Sequence, residues 1–219
     1  MKKISILEKK FKKRIFIQMN RRERERHWRR QYILSVAEKL FAKNGFYKTG
    51  ITEIAKASEF GIGTVYQFFK NKEEIYATLV GRRFDKLFEL MKEATSKADT
   101  PTEMIKALIK TKLHFFQKNY DFLKIFISEH GEVFVHVRED WRRELRKKYH
   151  AYIDFVAKII EEGIKKGEFK DLPPKEAATL IIGSCNALIY KWTTDETENS
   201  LTKKLPEVLE VIFYGLKRR

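Results

Sequence analysis

With 219 residues, 43% of them hydrophobic and 13% aromatic, the chain can build a real core as one large domain or two small ones. Only 10 Gly and 4 Pro stand against 35% charged residues, a balance that favours helix throughout. No apolar run approaches the roughly 18–20 residues that span a bilayer, no signal-peptide pattern opens the chain, and the lone Cys185 excludes an internal disulfide framework and a cysteine metal cage.

Cys185 is therefore expected as a small buried core residue, and a cytoplasmic protein is the default expectation. The net charge of +16 is unevenly spread. Residues 1–72 carry 19 Lys and Arg against 6 Asp and Glu, whereas the other 147 carry 27 against 24. The basic excess belongs to the first third of the chain and implies a polyanionic partner there. An anionic membrane surface would suit the charge equally well.

Residues 1–20 hold seven basic residues and one acidic one, with Ile4, Leu7, Phe11, Ile15 and Phe16 loosely spaced like one helix face. A flexible tail is the expectation. The competing readings are a basic arm on DNA, an amphipathic helix on a membrane, and a translation start at Met19. A first helix is predicted over 21–44: Ile33, Val36, Ala37, Leu40 and Phe41 recur at helical spacing, and Asn44-Gly45 stops it. Thr49 or Gly50 is expected to cap the next helix.

Residues Ile51 to Phe69 read as two short helices with a tight turn between them. Ile51, Ile54 and Ala55 form one apolar stripe; Ile62, Val65, Phe68 and Phe69 form a second, while Thr64, Tyr66 and Gln67 point elsewhere. Glu59-Phe60-Gly61 suits the turn. Two short helices with a polar outer face are what a DNA-reading helix-turn-helix needs, although small amphipathic helix pairs also occur without that role.

Asn71 caps a long helix over about 72–97, near 40 Å at about 1.5 Å per residue. Thr100-Pro101-Thr102-Glu103 starts the next, to about Lys118. A short apolar helix is predicted over 122–129 and a long one over 139–166, ended by Gly167. Pro173-Pro174 opens a strongly apolar helix through Trp192, and a last helix carries Val208, Leu209, Ile212, Phe213 and Leu216. There is no strand pattern, nucleotide-binding glycine loop or internal repeat. Residues 132–138 read ambiguously.

The pattern from Ile33-Leu34-Ser35-Val36-Ala37 through Leu40-Phe41 and Asn44-Gly45-Phe46 resembles the TetR/AcrR family of transcriptional regulators. The resemblance continues through Thr49, Ile51, Glu53-Ile54-Ala55 and Ala57. It ends with Gly63-Thr64-Val65-Tyr66 and Phe69-Lys70-Asn71-Lys72-Glu73-Glu74-Ile75. It implies an all-α fold: a basic extension (1–20), a three-helix DNA-binding domain (21–72) and, joined by the long helix, a helical ligand-binding and dimerisation domain (73–219). Glu59 departs from the family's usual Gly, Gly61 from a capping Ser and Gly50 from a frequent Thr. Glu59 is expected to adopt a left-handed conformation at some cost, and the changes put local cap contacts in doubt.

By the same resemblance, Tyr66 gives its hydroxyl to a phosphate, Lys72 adds charge at a helix N-terminus and Thr49 contacts phosphate at the other end. Ile62, Gly63, Thr64 and Gln67 are the candidates for major-groove base contacts. Gly50 and Lys70 complete the candidate DNA-binding set, with Lys70 equally readable as solvated. The partners implied are double-stranded DNA with a palindromic operator and a second copy of the chain, joined through the last two helices (Pro174–Trp192 and Leu205–Leu216), where Gly183 and Ser184 permit close approach.

The third implied partner is a small effector, apolar, aromatic or fatty-acyl, whose binding releases a repressor by shifting the long helix. The aromatic-rich second domain supplies candidate pocket residues: Phe88, Phe116, Tyr120, Phe126, Tyr152, Phe155, Asn186 and Tyr190. Each is also readable as plain core. The histidines are not spaced as a metal cluster, and no cofactor motif, membrane partner or catalytic constellation is predicted. The alternative function is a basic protein that binds nucleic acid without sequence preference, or a membrane surface.

Overall fold

The computed structural model describes residues 20–128, 139–194 and 200–215, and the side chains of all of these except 125–128 and 139–142. The readings of the basic tail, of residues 132–138, of Leu216 and of the Phe126 side chain lie outside that set. Every described element is helical: α1 (Arg21–Asn44), α2 (Ile51–Ala57), α3 (Ile62–Phe68), α4 (Lys72–Thr95), α5 (Pro101–Lys118), α6 (Tyr120–Ser128), α7 (Glu139–Lys165), α8 (Pro174–Thr194), a 3-10 turn (Leu201–Lys204) and α9 (Leu205–Tyr214). The short apolar helix thus begins two residues earlier than predicted, because Asn119 accepts the Leu123 N–H on its carbonyl and restarts the helix at once.

Two compact units emerge, one reaching Val80 and the other starting at Gly81, with 139–194 and 200–215 in the second. The boundary falls eight residues beyond the expected 72. The reason is packing: Ile75, Tyr76, Leu79 and Val80 on the first turns of α4 are buried, and the Tyr76 ring meets Phe41 at 6.3 Å and Phe46 at 5.3 Å edge-on.

The first unit is built by local chemistry. Asn20 and Glu23 close a reciprocal capping box that starts α1. Ile33, Leu34, Ala37 and Phe41 bury one face of that helix, while the predicted Val36 and Leu40 are half-buried flanks. Gly45 ends it with φ 81°, its N–H returning to Phe41. Asn44 then donates to Glu53 at 2.8 Å, which fixes α2 against the end of α1.

In the second unit, Thr100 caps α5 by accepting the Glu103 N–H, with Pro101 opening the helix. Glu168 accepts from both the backbone and the hydroxyl of Thr102, tying the turn after α7 to the start of α5. The core is Leu108, Ile109, Leu113 and Phe116 of α5 with Val156, Ile159 and Ile160 of α7 and Ala178, Ile182, Cys185 and Ile189 of α8. Cys185 is fully buried, and burial pushes its thiol pKa up.

Candidate nucleic-acid interface and effector pocket

The turn between α2 and α3 is a Schellman motif. The Phe60 N–H bonds the Ala55 carbonyl and the Glu59 N–H that of Lys56. This geometry places Glu59 at φ 57°, the one non-glycine residue with positive φ among those described. The left-handed conformation expected of Glu59 is therefore present. Neither Gly50 nor Gly61 supplies a side-chain cap to the helix it precedes, so the doubt over cap contacts was justified.

The turn aims α3. Val65 is buried and anchors the helix together with Phe69 immediately after it, at 0% and 1% exposure. Ile62, Gly63, Tyr66 and Gln67 face outward, with Ile62 44% and Tyr66 53% exposed, and Thr64 is half-buried beside them. Ile62 therefore leaves the predicted core stripe and keeps only its place on the candidate reading face. Gly50 and Lys70 are also exposed. All of the nine candidate DNA-binding residues except Thr49 thus lie wholly or partly on the surface of this unit, Lys72 being half-buried.

Thr49 and Lys72 have internal partners as well. Thr49 is completely buried: its hydroxyl donates to the Gly45 carbonyl at 2.8 Å and its N–H to Phe46. It holds the loop and presents no donor outward. The Lys72 ammonium is turned onto the same loop, donating to the carbonyls of Phe46 at 3.0 Å, Tyr47 at 3.3 Å and Thr49 at 3.3 Å, above the Phe46 ring. These bonds are charge-assisted, and the face of the Phe46 ring adds a cation–π contact. The start of α4 is satisfied internally as well: Asn71 accepts the Glu74 N–H, and Glu74 accepts that of Lys70.

Residues of α1 outside the candidate set pack against Phe60 of the turn and Phe69 after α3. Trp28 stacks on Tyr32 at 5.3 Å, and Tyr32 meets Phe60 edge-on. Arg29 pairs with Glu25, and Arg30 lies over the Phe69 ring at 4.7 Å. Partial burial lowers the Arg30 pKa and Glu74 opposes that shift. Arg21, Arg22, Arg24 and Arg26 stay exposed, a cationic run on a helix that is locally capped.

The second unit contains a cavity of about 220 Å³ lined by Phe84, Asp85, Leu87, Phe88 and Met91 of α4 and Lys148, Ala151 and Tyr152 of α7. Of the predicted pocket residues, Phe88 and Tyr152 line it. Phe155 backs Phe88 edge-on at 5.3 Å. Phe116 is buried elsewhere, between Phe115 and Phe122. Tyr120 is 38% exposed and packs on Trp192, and Tyr190 is 57% exposed. These three do not line the cavity, and Tyr190 belongs to an outer face. That face also carries Leu180, 72% exposed, with Gly183, Ser184 and Ala187. Asn186 accepts a 2.7 Å hydrogen bond from Lys112 of α5, a residue absent from the predicted set. Its signal was readable: Lys112 falls one helical turn from both Leu108 and Phe116, on the buried stripe. No group of three or more His, Cys, Asp and Glu among the described residues could hold a metal ion, and none of the described helices is long and apolar enough to cross a membrane.

A buried-anchor recognition helix on a basic helical unit, followed by a larger helical unit, defines a helix-turn-helix regulator. A profile described as bacterial regulatory proteins of the tetR family matches residues 33–79, and one described as tetracyclin repressor-like C-terminal domain matches 98–202. The chain belongs to the TetR/AcrR family of transcriptional regulators.

The fatty acid metabolism regulator protein of Bacillus subtilis (strain 168) is 26% identical over 194 residues, 85% of this chain and 95% of that protein. Among solved structures, the fatty acid degradation regulator FadR of Bacillus halodurans superposes with a TM-score of 0.78 at 20% identity, covering 87% of this chain and 97% of that one. FadR of Bacillus subtilis in complex with stearoyl-CoA gives 0.75 at 23%, covering 85% and 99%. The relatives are transcriptional regulators, and a DNA-binding regulator is the function the family supports.

Proposed function

We propose that the chain is a repressor that binds a palindromic operator as a homodimer and is released by a small apolar, aromatic or acyl effector. The observation that carries this reading is α3. Val65 is sealed in the core while Ile62, Gly63, Tyr66 and Gln67 project outward from the same two turns. Side chains of this kind suit a major groove: Gln67 matches an adenine edge, Ile62 and Thr64 a thymine methyl, and the Tyr66 hydroxyl a phosphate. One such helix reads only a few base pairs, so two copies on half-sites about one helical turn apart supply specificity.

The second copy would dock on α8 and α9, whose outer faces expose Leu180, Tyr190, Val211 and Tyr214. An acyl-CoA effector is suggested by the stearoyl-CoA bound to a relative of the same fold. Its binding in the second unit would act through α4, the helix both units share.

Selection of genomic fragments on the purified protein, followed by gel-shift titration of Tyr66→Phe and Gln67→Ala, tests this. The expectation is an inverted repeat, weakened by both variants, with Gln67→Ala relaxing one base position at a cost of roughly 1–3 kcal/mol. Binding of equal strength to all sequences, untouched by either variant, would sink the reading.

A further inference from the structure

The first two turns of α1, from Arg21 to Trp28, are exposed at every residue. The helix there is held by local contacts rather than by a core: the Asn20–Glu23 capping box and the pair between Arg29 and Glu25 one turn apart. Both carboxylates of the stretch are engaged in these contacts. Among the described residues, Arg21, Arg22, Arg24 and Arg26 have no carboxylate partner. They are also neighbours at helical spacing, Arg21 with Arg24 and Arg22 with Arg26, where like charges repel. A polyanion relieves that repulsion.

At about 3.6 residues per turn, Arg21, Arg24, Trp28 and Tyr32 share one face of α1. Trp28 is 56% and Tyr32 37% exposed, and their rings stack at 5.3 Å with planes 7° apart. The Tyr32 ring in turn meets Phe60 edge-on at 6.0 Å, just before α3 begins at Ile62. A cationic and aromatic ridge therefore runs outward along α1 from the N-terminal end of α3. It is about 16 Å long, roughly five base-pair steps of about 3.4 Å.

We propose that this ridge is a second DNA-binding surface, which grips the sugar–phosphate backbone of the duplex beyond the bases that α3 reads. This rests on the reading of α3 as the base-reading helix. Arg21 and Arg24 donate to phosphate oxygens, and Arg22 and Arg26 add charge beside them. The Trp28 ring, braced from behind by Tyr32, packs on deoxyribose. Backbone contacts carry no sequence information, so the ridge lengthens the footprint without narrowing the choice of site. An anionic bilayer is the poorer partner: a helix lying on a membrane needs a broad apolar face, and Trp28 is the one apolar side chain in 21–28.

The test is a gel-shift series with the full chain on duplexes that carry the selected site with flanks of about two or about ten base pairs on each side. The parent is expected to bind the longer duplex about tenfold tighter. Arg21→Gln/Arg24→Gln, which keeps helix propensity, should erase that preference and leave the short duplex bound as before. It should also lower the slope of log affinity against log salt by about 2 per protomer. Trp28→Ala should reduce the preference with the slope unchanged. Neither variant touches the core, so both should melt with the parent. Flank length without effect on the parent, or a preference retained in both variants, overturns the proposal. So does loss of binding to phosphatidylserine vesicles in the arginine variant with DNA binding unchanged, which would assign the ridge to a membrane. Gln67→Ala separates the two claims: if it weakens both duplexes while flank length has no effect, the ridge falls and base reading by α3 stands. If no site is selected, a random duplex replaces it, and a lower salt slope in the arginine variant leaves the ridge standing without the operator.

Discussion

The ammonium of Lys72 donates to the carbonyl oxygen of Thr49 at 3.3 Å, joining the first turn of α4 to a loop 23 residues earlier in the chain. With the bonds to Phe46 and Tyr47 it gathers three carbonyls that the turn after α1 leaves without helical partners. Lys72→Met removes this staple and is expected to cost about 2 kcal/mol, seen as a lower midpoint in thermal or urea unfolding. A lysine on a phosphate would lower the slope of log affinity against log salt by about 1 when removed. The salt slope of Lys72→Met should instead match the parent protein, and a reduced slope would return Lys72 to the DNA contacts.

Glu59 occupies the left-handed position of a Schellman motif, and Gly167 occupies the same position after α7. There the Glu168 N–H returns to Gly163 and the Gly167 N–H to Ile164, with φ 73°. The two sites make a matched pair. Glu59→Gly should stabilise by about 1 kcal/mol and Gly167→Ala should destabilise by a similar amount, both read from denaturant midpoints. Opposite signs are the requirement; a destabilised Glu59→Gly would mean that its carboxylate contributes more than the backbone costs.

Gly163 has no room for a side chain. A Cβ there would stand 2.2 Å from a ring carbon of Phe169, and Phe169 in turn packs near Phe213 of α9. Gly163→Ala is expected to lose roughly 1–3 kcal/mol through overpacking. Adding Phe169→Ala should make the second alanine less costly than it is alone, a non-additivity measurable in a double-mutant cycle.

Lys112 predicts an unusual pH profile. Its folded pKa, about 8, lies below the ordinary lysine value of 10.5, so between these two the unfolded chain binds the extra proton. Stability contributed by this residue therefore rises as pH increases from about 8 to 10.5, and the full penalty, roughly 3 kcal/mol, is present below pH 8. Lys112→Met should melt higher than the parent at pH 7, and the gap should narrow by pH 10. A gap independent of pH would show that the parent residue does not titrate in this window.

What the sequence made legible was local. Asn44-Gly45, Asn71 and Thr100-Pro101-Glu103 announce helix ends because their partners lie within four residues, and the structure uses each as a stop or cap. The outward face of α3 was readable for the same reason: the burial of Val65 dictates which neighbours face away. The internal partners of Thr49 and Lys72 were not legible because they lie outside the helical spacing that the sequence reveals. Tyr190 was placed in a pocket because α8 is apolar on two sides, and composition does not say which side meets its own chain. Lys112 had a readable place on the buried stripe of α5, but its partners on α7 and α8 lie across the fold and were not legible.

No residue of α9 is fully buried, although Val208, Leu209, Val211, Ile212 and Phe213 make it one of the most apolar stretches of the chain. A helix in that condition gains little from its own subunit. Its order is then expected to depend on protein concentration, with amide protons in 205–214 exchanging quickly in dilute solution and slowly once two chains meet. Assembly would in that case be the last step of folding, and a chain too scarce to find a second copy would lack the end of its own tertiary structure.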